Sequence, residues 1–146
     1  MGYKYKPKID WTKPTAQFLG RFQPWNEGHR AVFDALMRKG DALTPDPYRT
    51  SRAQQCLIMV REMPLNEDNP LTFKEVKKII NNDLKLDYHN KYDIIKVPNI
   101  TNVFYGRTVG FDVERIHLPE ELESIKSTKI RAEEQHFNRK FWAGRE

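Results

Sequence analysis

Apolar residues recur along this chain with two alternating periods. Residues 15–19 make a short run that closes at Gly20 and predicts a strand. A helical pattern then runs through Lys39, with Val32, Phe33, Ala35, Leu36 and Met37 on a wide apolar face and Lys39-Gly40 as its stop. Cys56-Leu57-Ile58-Met59-Val60-Arg61 is an unbroken apolar run, the pattern of a strand buried on both faces of a parallel sheet. Thr72 and Glu75 stand at capping-box spacing, and Phe73, Val76, Ile79, Ile80 and Leu84 continue as a second helix. A third strand is expected over residues 92–97, ended by Pro98, a fourth over 102–106, and a fifth, alternating, over 113–118. A last helix is expected over 128–141, with Ile130, Phe137 and Phe141 on one face.

Strands alternating with helices predict an α/β fold: a single Rossmann-like, doubly wound domain with a mainly parallel five-stranded sheet. Residues 1–14 lack periodicity and read as an N-terminal tail or edge extension, so the domain proper spans 15–146. The polar connection over 41–55, with Pro45 and Pro47, is long enough to be a mobile flap. Ligands in such folds bind beyond the carboxyl ends of the strands.

At 146 residues the chain has room for one real core, and eight Phe, six Tyr and three Trp argue against disorder despite a hydrophobic fraction of 38%. A net charge of +5 suits anionic small ligands but is mild for a dedicated nucleic-acid binder, which is therefore disfavoured as a partner. Cys56 lies inside an apolar run and reads as core. No apolar run reaches membrane-spanning length and no signal-peptide core is evident, so a cytoplasmic protein with no membrane association is expected.

The candidate chemistry begins at Phe18-Leu19-Gly20-Arg21-Phe22-Gln23-Pro24-Trp25-Asn26-Glu27-Gly28-His29-Arg30. A strand feeds a Gly-bracketed turn that opens into a helix, the layout of a phosphate-cradling loop. Gly20 lets backbone approach a phosphate, Pro24 stiffens the turn, and Gly28 allows close helix–sheet contact. His29 falls in the first helical turn, where it can donate a charge-assisted bond to a phosphoryl oxygen. Asn26 is either an N-cap or an amide donor to phosphate. On local spacing alone, a functional His29 and an ordinary surface histidine stand about even.

This stretch resembles the G-x-F-x-P-x-H-x-G-H signature of the nucleotidyltransferase superfamily, which shares its fold with class I aminoacyl-tRNA synthetases. Gly20, Phe22, Pro24, Gly28 and His29 match, and Asn26 replaces the first histidine. The form Gly20-Arg21-Phe22-Gln23-Pro24 is similar to archaeal-type nicotinamide-mononucleotide adenylyltransferases; cytidylyltransferases tend to carry Asp where Gln23 stands. The family's second signature, I-S-S-T-x-x-R, is matched by Ile125, Ser127, Thr128 and Arg131, with Lys126 for the first serine. The resemblance covers residues 15–136, and its two motifs appear in the family's order.

The resemblance implies transfer of a nucleoside monophosphate, AMP ahead of CMP, from an NTP to a phosphorylated small-molecule acceptor, with release of pyrophosphate. His29, Asn26 and Arg131 would be catalytic, with His29 at the α-phosphate. Gly20, Arg21, Phe22, Gln23, Pro24 and Gly28 would line the nucleotide site, Ser127 and Thr128 would hold its β- and γ-phosphates, and Tyr105 and Gly106 would meet the base edge. Arg61 and Arg107, each at a predicted strand end, suit the acceptor phosphate or the leaving pyrophosphate, and Arg21 is placed to do the same. Mg²⁺ would enter on the NTP phosphates, with no protein metal site: His89, His117 and His136 have no partners at ligand spacing. Members of this superfamily commonly form dimers or larger rings, so a homo-oligomer is allowed. A catalytically silent nucleotide-binding module of the same fold is the alternative.

Overall fold

Alternation along three strands decides which side of the sheet is dry. The computed structural model describes residues 8–107 and 110–123. Strands β1 (Thr15–Gly20), β2 (Gln55–Arg61) and β3 (Tyr92–Val97) pair in parallel in the order β1-β2-β3. Ala16, Cys56 and Tyr92 stand in register, as do Phe18, Ile58 and Ile94. Side chains at matched positions of a parallel pair share a face. These six join Val60 in one apolar cluster with Phe33 and Met37 of α1 (Glu27–Gly40) and Val76, Ile80 and Leu84 of α2 (Phe73–Leu84). Fully burying a Val, Leu, Ile, Phe or Met side chain of this cluster contributes about 1.5–3 kcal/mol.

Two successive crossovers in the same direction put both helices on one face of the sheet when each is right-handed. Their mutual contacts agree. Tyr88, just past α2, donates its hydroxyl to Asp34 of α1 at 2.6 Å. Arg30 of α1 reaches the Asp83 carbonyl at 2.8 Å and the Asp87 carboxylate at 2.7 Å. A short third helix, α3 (Glu120–Glu123), lies against α1.

The fold is thus mixed α/β around a parallel three-stranded sheet, with the first three of the five expected strands present nearly as read. The fourth and fifth strands are corrected: residues 102–106 and 113–118 pair with no strand among the described residues. Val103, Phe104 and Tyr105 are 69%, 89% and 64% exposed, and Val113 is 79% exposed. Strand preference is realised only where a sheet edge offers backbone partners, and among the described residues these segments lie against none. The expected last helix lies outside the described residues.

The N-terminal stretch is anchored over its described part. Buried Gln55 donates to the Asp10 carbonyl at 2.6 Å and to the Thr15 hydroxyl at 2.8 Å, and accepts from the Asp10 N–H at 3.2 Å. The 41–55 connection is tied back to its helix by Ser51 N–H to the Lys39 carbonyl at 2.9 Å. Among the described residues no helix is long and apolar enough to cross a membrane.

Candidate functional site

Phe22 shapes the turn at the carboxyl end of β1. Its backbone is left-handed, with φ of 53°, and its ring is 1% exposed. The ring meets Phe18 at 5.2 Å, Trp25 at 5.3 Å and His29 at 5.0 Å between centroids. Burial of a large ring among aromatics offsets the steric cost of a positive φ. Gly20 matters for the same reason: a Cβ there would sit 2.8 Å from two carbons of the Phe22 ring. The Phe22 ring thus fills the space beside Gly20.

Gln23 is held inside the turn. Its side chain is 4% exposed, donating to the Leu71 carbonyl and accepting the Leu71 N–H, both at 2.9 Å. It fastens the turn to the segment that precedes α2. Trp25, 6% exposed, donates its indole N–H to Asp83 at 2.8 Å and fastens the turn to the other end of α2. Pro24 completes the turn between them, following a cis peptide bond from Gln23.

Asn26 is the N-cap of α1. Its Oδ1 accepts from Gly28 N–H at 2.9 Å and from His29 N–H at 3.2 Å. The cap is reciprocal: Nδ1 of His29 accepts the Asn26 N–H at 3.1 Å, so a histidine fills the place usually taken by Glu or Gln. Partial burial against Phe22 and Trp25 lowers the imidazole to about 4. At that value His29 is neutral near pH 7, so the charge in a bond to a phosphoryl oxygen would come from the phosphate. Because Asn26 satisfies two of the first amides, those amides are engaged before any anion arrives.

Cations collect at the carboxyl ends of the strands. Arg21 donates to Asn69 at 3.3 Å. Arg61, the last residue of β2, donates Nη2 to Asn99 at 2.7 Å, while its Nε is buried without a partner. Arg61 lines a cavity of about 90 Å³ together with Gln23, Met63, Leu71, Phe73 and Lys96. Lys96 also pairs with Glu62 at 3.1 Å. The structure thus brings Arg21, Gln23, Asn26, His29 and Arg61 to one end of the sheet. Lys96, Asn69 and the Leu71 backbone were not legible as part of it, since their partners lie tens of residues away.

Tyr105, Gly106 and Arg107 are exposed, and the ring of Tyr105 meets Phe111 at a centroid distance of 6.3 Å. Without a fourth strand beneath them, they are not at a strand end, which corrects that part of the expectation. Ser127, Thr128 and Arg131 lie outside the described residues. Among the described residues no three His, Cys, Asp or Glu side chains are grouped to hold a metal ion. Cys56 is fully buried, and burial pushes its thiol well above the ordinary range, as suits a core residue. No protein-family model matches the sequence, and no curated protein and no solved structure matches it either.

Proposed function

We propose that the chain is a cytoplasmic nucleotidyltransferase that moves a nucleoside monophosphate, AMP ahead of CMP, from an NTP to a phosphorylated small-molecule acceptor. The observation that carries this reading is the turn itself. A G-x-F-x-P stretch leaves the first strand of a parallel sheet and opens a helix with His29 in its first turn. Arg21 and Arg61 at the same end of the sheet supply positive charge for phosphates. The β1-α1-β2-α2-β3 order is half of a doubly wound, Rossmann-like unit, and the resemblance supplies the other half, with Ser127, Thr128 and Arg131 at the leaving pyrophosphate.

An acceptor phosphate is already ionised near neutral pH, so no strong base is required. Its oxygen attacks the α-phosphorus, the α–β bridging bond breaks, and pyrophosphate carries away the electron pair. Catalysis then rests on alignment and on donors aimed at the charge that develops. Within the described residues His29 would be the donor for the α-phosphate, and Arg61 would take the acceptor phosphate. Mg²⁺ arrives on the triphosphate oxygens.

A screen of ATP and CTP against nicotinamide mononucleotide, phosphorylated sugars and alcohols, and phosphopantetheine should give pyrophosphate with one pair. His29→Ala should then lower turnover about a hundredfold or more, as loss of one aimed donor does. Unchanged turnover would remove His29 from the mechanism. The second reading, a silent nucleotide-binding module, is favoured by the commitment of Asn26 to the cap. It requires calorimetric NTP binding with pyrophosphate release at background, and a gain of activity in Asn26→His would support it.

A further inference from the structure

We infer that His29 meets its ligand as a neutral, single-tautomer donor, with the proton held on Nε2 by the backbone of Asn26. A backbone N–H can only donate, and the Asn26 N–H lies 3.1 Å from Nδ1 of His29. Nδ1 must therefore present its lone pair, which leaves the imidazole hydrogen on Nε2. The reciprocal bond from His29 N–H to Asn26 Oδ1 at 3.2 Å and two aromatic walls hold the ring in that orientation. The Phe22 ring stands at 83° to the imidazole plane, and the Trp25 ring, centred 5.7 Å away, at 30°. Exchange of the two nitrogens would turn an N–H toward an N–H and break the cap.

Nε2 has no hydrogen-bond partner among the described residues. The sole buried side-chain nitrogen or oxygen left unpartnered among them is Nε of Arg61, so Nε2 reaches solvent. The lowered basicity of the ring agrees with this assignment, and its cause is burial. No charged group of the described residues is turned onto the ring: Arg30 is drawn to Asp34, Asp83 and Asp87, and Glu27 is exposed.

The inference rests on the proposed nucleotide site only for what Nε2 touches. There, one fixed N–H would select an acceptor-only oxygen such as a phosphoryl oxygen. It would do so by hydrogen bonding, with Arg21, Arg61 and the metal-bound triphosphate supplying the charge balance. Gln can reproduce both bonds, its oxygen accepting the Asn26 N–H and its NH₂ group facing the ligand. Lys preserves a positive charge but has no acceptor.

Imidazole ¹⁵N NMR on the full chain at neutral pH should show Nε2 protonated and Nδ1 bare; an imidazolium, or the opposite tautomer, would overturn the inference. ATP binding should then fall by less than about tenfold in His29→Gln and by more than that in His29→Lys, within the range expected for one hydrogen bond. Lys matching or exceeding Gln would overturn the neutral-donor role. If the wild-type chain binds neither ATP nor CTP, the nucleotide reading fails and the NMR result alone decides the tautomer. In that case the thermal midpoint should also be kept by Gln and lowered by Lys, and the reverse order would count against the lock.

Discussion

Gln23 and Leu71 face each other edge to edge, 48 residues apart in sequence, through two hydrogen bonds of 2.9 Å. The side-chain amide supplies one donor and one acceptor, and the Leu71 backbone returns one of each. Both residues are almost fully buried, at 4% and 3% exposure. Gln23→Ala would leave the Leu71 N–H and carbonyl dry and unpaired. The expected loss is about 2–4 kcal/mol of folding stability, measured by urea denaturation. A loss of nucleotide affinity with stability intact would instead assign Gln23 to the ligand.

Gly20→Ala is expected to destabilise the fold through a contact within the turn. The added methyl would lie 2.8 Å from the Phe22 ring, which Phe18, Trp25 and His29 prevent from retreating. Overpacking of this kind costs about 1–3 kcal/mol. A thermal midpoint equal to that of the wild type would show that the ring yields freely.

Arg30 ties the two helices together and should matter for stability alone. It pairs with Asp34 at 2.9 Å, Asp83 at 3.2 Å and Asp87 at 2.7 Å, and its guanidinium lies 5.4 Å from the centre of the Tyr88 ring. Burial, helped by the bond to Asp34, pushes the Tyr88 hydroxyl up to about 12. Arg30→Met would strand three carboxylates beside one another and is expected to cost about 2 kcal/mol. Chemical denaturation of Arg30→Met, alone and combined with Asp83→Asn, measures both the loss and the partial recovery that removing one carboxylate should bring.

The pH dependence of folding should carry the imprint of His29. The folded protein keeps this ring neutral down to about pH 4, whereas the unfolded chain protonates it near 6.5. Between those values the unfolded state holds the extra proton, so stability falls as the pH is lowered from 6.5 toward 4. The full shift corresponds to about 3 kcal/mol, all of it lost once the pH is below 4. His29→Gln removes the titrating group and should flatten this part of the profile. Parallel wild-type and variant profiles over the same window would contradict the assignment.

Where the sequence misled, it did so in one physical way. The run 102–106 has the residues of a strand, yet the chain leaves the sheet after Pro98 and no edge among the described residues meets it. In the turn, the Phe22 ring and the Gln23 amide go inside, because an apolar ring and an amide with both partners nearby are more stable there than at a wet surface. The Asn26 N-cap, one of its two readings, holds, because capping is settled within four residues.

The sequence by itself determined the three strands, the starts and stops of α1 and α2, and the burial of Cys56, Ile58 and Val60. These follow from periodicity and capping, which act over one or two turns of chain. Only the tertiary structure decided that Gln23 grips Leu71, that Trp25 and Arg30 meet Asp83, and that aromatic walls keep His29 neutral. The bonds to Leu71 and Asp83 join residues some fifty positions apart, and the desolvation of His29 needs Phe22 and Trp25 buried by the rest of the core. These effects therefore act only after packing has brought the partners together.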